Sequence, residues 1–373
     1  MNGTIFAGSR VVTPGGVLDE GWVRLSGDRI AEIGSGRPAG AVDLGGGWLV
    51  PGFVDVHCHG GGGGSFTSAD PEQVRTAAAA HRAHGTTTLL ASLVSAPVDD
   101  LADQISALRE LVEDGVVAGV HLEGPFLAAA RCGAHDPAAL RPPEPDVVAR
   151  LLRAGGGAVR AVTLAPELEH ATTAVRQLAD AGVIAALGHT DATFDQVGPA
   201  VEAGATVATH LFNGMRPLHH REPGAVAALL EDERVTVELI ADLVHLHPAV
   251  LELAARRAGP GRTALVTDAI SATGAGDGTY WLGELEVTVS DAVPVLADGS
   301  LAGSTLTMDA AFRNLVRGTG LTVPEAVSAS ATRPAELLGL TDRGALRPGL
   351  AADLVALDED LRVRQVVRGG ACC

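Results

Sequence analysis

Leu49-Val50-Pro51-Gly52-Phe53-Val54-Asp55-Val56-His57-Cys58-His59 reads as a buried strand that follows a Pro-Gly turn and ends on two histidines. Residues two apart share one face of a strand, so the imidazoles of His57 and His59 point one way and Cys58 the other. Two converging imidazoles at a strand end make a ready metal site. A pair of satisfied structural histidines has the same spacing, so the reading turns on the rest of the chain. Glu123, His189, His210 and Asp268 each follow an apolar run of the same kind.

Short apolar runs recur at 53–56, 86–90, 116–122, 159–164, 183–187, 206–209, 235–240 and 264–267, with Ala-rich helical stretches between them. Most lie roughly 20–40 residues apart, the period of β-α units. Unbroken apolar runs, rather than alternation, fit parallel strands buried on both faces. Eight such units predict an α/β fold, a (β/α)8 barrel of TIM type. Chemistry in such barrels sits at the C-terminal strand ends. His57 and His59 end the first run, Glu123 the third, His189 the fifth, His210 the sixth and Asp268 the eighth.

Both ends of the chain have a different texture. Short strand-like segments at 4–7, 11–12, 22–25 and 29–33 precede Gly45-Gly46-Gly47, and two more, at 352–357 and 361–368, follow the turn at Arg347-Pro348-Gly349. They predict a small β-sandwich domain built from both termini, residues 1–50 and 344–373, around a barrel over 51–343. Residues 276–304 read as an inserted β-hairpin region, with strands at 280–282, 286–289 and 294–296.

A chain of 373 residues that is 46% apolar can bury one large barrel and a small second unit. Aromatics supply only 3%, so Val, Leu, Ala and Ile must fill the core. No apolar run has the length of a bilayer span and no leader pattern precedes Ile5, so a soluble, cytoplasmic protein without a membrane partner is expected. A formal charge of −18 argues against nucleic-acid binding. It also requires that an anionic substrate be met by a local positive cluster. Cys58, Cys132, Cys372 and Cys373 form no disulfide framework. All 27 basic residues are arginine. The absence of lysine excludes a Schiff-base lysine, a P-loop lysine and a carboxylated lysine bridging two metals. A carboxylate would have to bridge.

Imidazole and carboxylate are the usual ligands of hydrolytic zinc. Glu123, His189 and His210 make a complete three-ligand set. His57 and His59 can hold a second ion, with Glu123 bridging. Zn2+ is the expected metal, one or two ions per subunit; Fe2+, Co2+ and Mn2+ also suit such ligands. Asp268 is the candidate general base, with a helix N-cap as its alternative role. Three further stretches offer substrate contacts. His135, in the loop 131–137, can polarise a carbonyl oxygen, and the neighbouring Cys132 reads as incidental. Arg221 offers a fork suited to phosphate, and His245 adds a donor. His219, His220 and His247 read as ordinary surface.

These motifs together resemble the amidohydrolase superfamily and, within it, the N-acetylglucosamine-6-phosphate deacetylase family. Besides residues 51–59, the matching stretches are His121-Leu122-Glu123-Gly124-Pro125-Phe126, Gly133-Ala134-His135, Thr163-Leu164-Ala165-Pro166-Glu167, Gly188-His189-Thr190, Thr209-His210-Leu211-Phe212-Asn213-Gly214-Met215, Arg221-Glu222-Pro223-Gly224, Val266-Thr267-Asp268-Ala269 and Leu301-Ala302-Gly303-Ser304. They occur in family order over nearly the whole chain. The resemblance implies metal-dependent hydrolysis of the acetamide of N-acetyl-D-glucosamine 6-phosphate, in amino-sugar catabolism or recycling. It implies Glu123, His189 and His210 at the common metal, and His57 and His59 as in members that keep a second site. Asp268 would be the acid/base and His135 would hold the acetyl carbonyl. Ala134, Asn213, Gly214, Leu301, Ala302 and Gly303 would touch the sugar. Arg221 and His245 would take the phosphate, one of them across a homodimer interface. Gly214 stands where the family more often has alanine, a change expected to be harmless. Residues 269–274 are less typical, and Cys132 resembles a variant of some members. The rival readings are an amidohydrolase for another N-acyl substrate and a non-catalytic sugar-phosphate-binding barrel.

Overall fold

The computed structural model describes residues 3–68 and 70–373. Eight parallel strands form the barrel: Phe53–Asp55, Thr86–Leu89 continued by Ala91–Leu93, Val120–Glu123, Val159–Leu164, Ile184–Leu187, Val207–Ala208, Thr236–Ile240 and Thr263–Val266. Neighbours pair in sequence order from the first to the eighth. The ring closes between the eighth strand and the first. There the Asp268 amide donates to the His57 carbonyl at 2.8 Å, the Thr267 hydroxyl donates to Asp55 at 2.6 Å, and Cys58 bridges Ala269.

The strands coincide with the apolar runs except at the third, which begins at Val120 rather than at 116. The amides of Val116 and Val117 both bond back to the Leu111 carbonyl, so those valines finish the preceding helix. That helix, Val98–Glu113, buries Leu101, Ile105 and Leu108 at the spacing of one helical face. The helix Pro71–Ala83 starts where Asp70 accepts from the Glu72 amide and proline takes the first turn.

The terminal segments form one eight-stranded sheet, drawn from residues 5–51 and 354–372. Its strands alternate with a period of two between separate cores. Leu49, Leu354 and Ala356 join a core of the sheet's own with Phe6, Val23 and Ile30. Val50, Val355 and Leu357 face the barrel core instead. After the eighth strand, Gly278–Leu282, Leu285–Ser290 and Val293–Val295 form an antiparallel three-stranded sheet over the three expected segments. Leu282, Val287 and Val289 from it pack on Val94, Ala134, Ile270, Ala272 and Ala302 as a third cluster. Among the described residues no helix is long and apolar enough to cross a membrane.

In a core so poor in aromatics, Phe53 on the first strand and Phe312 on the helix Met308–Thr319 are both fully buried, with ring centroids 5.4 Å apart. Phe312→Ala is expected to cost about 3–5 kcal/mol of unfolding free energy, through lost transfer energy and a residual cavity. Denaturant titration measures it. A loss below about 1 kcal/mol, the scale of a volume-conserving swap, would show that the pair does not secure the barrel seam.

Candidate metal centre and substrate pocket

Three of the residues that end barrel strands sit in the left-handed region: His189 at φ 47°, His210 at φ 26° and Asp268 at φ 50°. Such a conformation costs an L-residue on the order of 1–3 kcal/mol and persists only where the surroundings enforce it. Here the backbone is pinned on each. The Ala128 amide donates to the His189 carbonyl at 2.9 Å, and the Asn213 amide to that of His210 at 3.0 Å. The Ser304 amide donates to the Asp268 carbonyl at 2.7 Å.

Glu123 lies at the centre, 4% exposed. Its Oε1 is 2.9 Å from His189 Nε2 and 2.8 Å from His210 Nε2. Its Oε2 is 3.1 Å from His59 Nε2, 3.5 Å from His57 Nε2 and 3.4 Å from His135 Nε2. Asp268 Oδ1 stands 3.4 Å from His57 Nε2 and 3.2 Å from His59 Nε2. The two carboxylate oxygens of Glu123 thus face different histidine pairs, the arrangement a bridging ligand needs.

The spacing of the nitrogens fits divalent ions. His189 Nε2 and His210 Nε2 are 3.1 Å apart, and His57 Nε2 and His59 Nε2 are 3.2 Å apart. Tetrahedral zinc with Zn–N bonds of about 2.0–2.1 Å puts its ligands about 3.3–3.4 Å from one another, so both pairs are close to coordination edges. His57, His59, Glu123 and Asp268 bring one ligand atom each into a common cluster, as do Glu123, His135 and His189. The ring orientation of His189 is fixed from behind, where its Nδ1 donates to the Arg131 carbonyl at 2.9 Å.

Burial alone would push these groups toward neutrality, yet they hold one another charged. Burial lowers the imidazole of His57, but Glu123, Asp268 and Glu238 outweigh it and hold it well above its usual value. His59 and His189 are raised for the same reason, against their burial, by Asp268 and Glu123 and by Glu123 respectively. Burial raises Glu123, but His57, His135 and His189 hold its carboxyl far below the usual range. Asp268 is likewise held down against its burial by His57 and His59. His135 differs. Burial brings it down to about 4 in spite of Glu123, and its Nδ1 accepts the Ser95 amide at 3.1 Å. It is therefore neutral, with its proton on Nε2.

A cavity of about 260 Å3 opens above the cluster. Of the expected substrate contacts, Ala134, His135, Asn213, Gly214, His245, Leu301 and Gly303 line it. Three placements differ from expectation. Ala302 is fully buried in the cluster under the inserted sheet, its neighbours facing the cavity instead. Arg221 lines a separate cavity of about 400 Å3, with Phe194, Arg216 and Glu222. Glycine at 214 is no neutral exchange for alanine: at φ +61° a Cβ there would lie 2.9 Å from His189 Nδ1. The N-cap alternative for Asp268 fails, because the next helix begins only at Met308. His247 does cap a helix, accepting from the Ala249 amide. Cys132 is half-buried and free.

Leu282, from the inserted sheet, and Ser300, from the loop that follows it, also line the cavity and carried no sequence signal. Glu238 and His121 were missed as well. Glu238 is an acidic residue inside an apolar run, and that was its signal. His121 lies in the barrel interior, bonded to the Ser92 and Thr163 hydroxyls at 2.9 Å each.

Residues 48–372 match the family model described as Amidohydrolase family. The chain is 36% identical to N-acetylglucosamine-6-phosphate deacetylase of Lysinibacillus sphaericus, over 96% of this chain and 95% of that protein. It is 38% identical to N-acetylgalactosamine-6-phosphate deacetylase of Escherichia coli O157:H7, over 96% of each. Among solved structures, a mutant N-acetyl-D-glucosamine-6-phosphate deacetylase from Mycobacterium smegmatis, in complex with N-acetyl-D-glucosamine-6-phosphate, superposes with a TM-score of 0.97 at 46% identity. That superposition covers 100% of this chain and 99% of that one.

The raised imidazoles generate a prediction about metal loading. With a folded-state pKa above 6.5, His57, His59 and His189 of the metal-free protein retain protons through the window between 6.5 and the raised value. The stability these protons contribute is complete below pH 6.5 and is lost as pH rises through the folded value. A metal must displace them. Titrating zinc into the metal-free protein at pH 7, in two buffers of different ionisation enthalpy, is expected to release protons, with affinity rising with pH. Binding with no proton release would contradict the arrangement.

Proposed function

From the chain's membership of the amidohydrolase family, we propose that this enzyme hydrolyses the acetamide of N-acetyl-D-glucosamine 6-phosphate to D-glucosamine 6-phosphate and acetate. The observation that carries the reading is one buried carboxylate, Glu123, with five imidazoles around it, beside an ionised Asp268 on the wall of the substrate cavity. A divalent ion, held by Glu123, His189 and His210, supplies a Lewis acid for the acetyl oxygen and makes water acidic enough to attack near neutral pH. Zinc is the ion proposed, with His57 and His59 holding a second.

Asp268 lines the cavity beside the proposed metal site, where its carboxylate can take the proton of the attacking water. It then returns that proton to the amine nitrogen as the C–N bond breaks, and the amine leaves neutral. His135 donates from Nε2 to the oxyanion that develops on the acetyl oxygen, because the Ser95 amide occupies its Nδ1. Asn213, Gly214, Ala134, Leu301 and Gly303 shape the sugar subsite.

The phosphate reading rests on His245 and Arg221. His245 reaches the cavity, its Nδ1 held by Asp242 at 2.6 Å, and that carboxylate raises it against burial. Arg221 lines a different cavity of the same subunit, where its guanidinium donates to His220 Nε2 at 2.8 Å. We assign it to the substrate of a second copy, so the enzyme is a homodimer. Exposed Leu218, Leu243 and Val244 near these loops suit such a face. Residues 51–343 then form the catalytic barrel and 1–50 with 344–373 the supporting unit, in a cytoplasmic enzyme with no nucleic-acid or membrane partner.

The test is acetate release from N-acetylglucosamine 6-phosphate, its galacto epimer and unphosphorylated N-acetylglucosamine. The gluco phosphate is expected to have the highest kcat/KM. Arg221→Ala should raise KM for the phosphorylated sugar at least about tenfold, a charge-assisted contact being worth 1.5–3 kcal/mol, with little change for the unphosphorylated one. An unchanged KM would refute the phosphate assignment. His135→Gln is expected to lower kcat by about 10²–10³, the usual cost of one oxyanion donor. Because His135 stays neutral down to about pH 4, the acid limb of the pH profile should not move in that variant. A shifted limb would mean that His135 titrates during turnover.

A further inference from the structure

We propose that Glu238 is a positioning residue that fixes His57 for metal binding, an inference resting on the proposed role of His57 as a ligand. The seventh barrel strand, Thr236–Ile240, is buried throughout, and Glu238 is its one ionisable residue, 5% exposed. A carboxylate buried on that strand is costly unless it is paired. Both bonds found for it go to the metal cluster. His57 Nδ1 lies 3.3 Å from Glu238 Oε2, and the His210 amide donates to the same oxygen at 3.2 Å.

A carboxylate accepts only, so the facing Nδ1 of His57 must carry a proton. When His57 serves as a ligand, its lone pair is therefore on Nε2. That nitrogen faces His59 Nε2 at 3.2 Å, Asp268 at 3.4 Å and Glu123 at 3.5 Å. Glu238 thereby sets the tautomer and the ring orientation, and its charge makes the ligating nitrogen more basic. The other histidines show what this anchor adds. His189 is anchored by a neutral carbonyl, while the Nδ1 atoms of His59 and His210 are buried with no partner. His57 is the one ligand whose remote nitrogen meets a carboxylate. The shared oxygen also ties the His57 ring to the backbone beneath His210, coupling the two halves of the cluster.

The test measures zinc per chain and its affinity, by equilibrium dialysis in graded zinc buffers with elemental analysis, for the wild type, Glu238→Gln, Glu238→Ala, His57→Gln and His57→Gln combined with Glu238→Gln. Glutamine keeps an acceptor of the same shape and removes only the charge. Glu238→Gln is expected to weaken zinc binding about tenfold or more, within the range for the outer partner of a ligand. Glu238→Ala should weaken it at least as much, and Glu238→Gln should change nothing further once His57 is glutamine. In zinc-loaded protein labelled with 15N-histidine, the Nδ1 proton signal that His57→Gln removes should shift in Glu238→Gln. Unchanged affinity in Glu238→Gln overturns the proposal. So does an equal loss with and without His57, which would place the effect on His210 or on packing. If Glu238→Ala does not fold, the glutamine arms decide. The underlying ligand reading fails separately, with Glu238 intact, if His57→Gln leaves zinc binding unchanged.

Discussion

A buried carboxylate has to be neutralised largely by what the protein supplies, and Glu123 is met on both oxygens by imidazoles. That requirement organises the molecule. Five histidines drawn from three strand ends and one loop cannot gather about one carboxylate unless the strands converge at one end of a closed ring. Neither metal-free extreme is stable by itself. Neutral imidazoles leave an unpaired buried anion, and fully protonated ones leave an excess of positive charge. A divalent ion bound there would replace several protons with fixed charge.

The barrel holds this geometry from below as well as from its rim. Ser92, His121, Thr163 and Thr209 form a chain of hydrogen bonds across the interior, with separations near 2.9 Å at each link. Burial lowers His121 well below its usual value, and the neighbouring His57 adds to this, so the chain carries no added charge beneath the metal cluster. Asp55 and Thr267 seal the seam beside it. Strain is stored at His189, His210 and Asp268, whose left-handed backbones aim side chains that an ordinary strand would leave alternating. A rigid polar floor under strained strand ends is a sensible division, since ligand angles tolerate little play.

The barrel was legible because a strand buried on both faces writes itself as an unbroken apolar run, and six functional residues stood at the ends of such runs. The terminal sheet was legible in outline from its turns, although Ile5–Thr13 is one strand with irregular register where the sequence suggested two short ones. Its pairing of residues 48–51 with 354–357 is long-range and has no local signature. Ala302 was misplaced because a motif names a stretch and not a face: Leu301 and Gly303 line the cavity, while Ala302 is buried under the inserted sheet. Glu238 was overlooked since its run reads as core, and the charge inside that run should have prompted the question of what pairs with it. Leu282 and Ser300 depend on how an inserted sheet folds back over the rim, which no local pattern encodes.

Charge distribution supplies the last constraint. A chain with a formal charge of −18 and no lysine has few means of holding a phosphate dianion. Arg131 and Arg216 are both paired with one carboxylate, Asp191, which they hold below its usual pKa. His245 is committed through one nitrogen to Asp242 and so brings little net charge. Arg221 instead donates from its guanidinium to His220 Nε2 at 2.8 Å. An exposed cation on an acidic chain, set outside the substrate cavity of its own subunit, is the observation behind the proposed contact from a second copy. The proposed homodimer would make assembly and phosphate selectivity one property, with the lone subunit keeping the hydrolytic groups and lacking that cation.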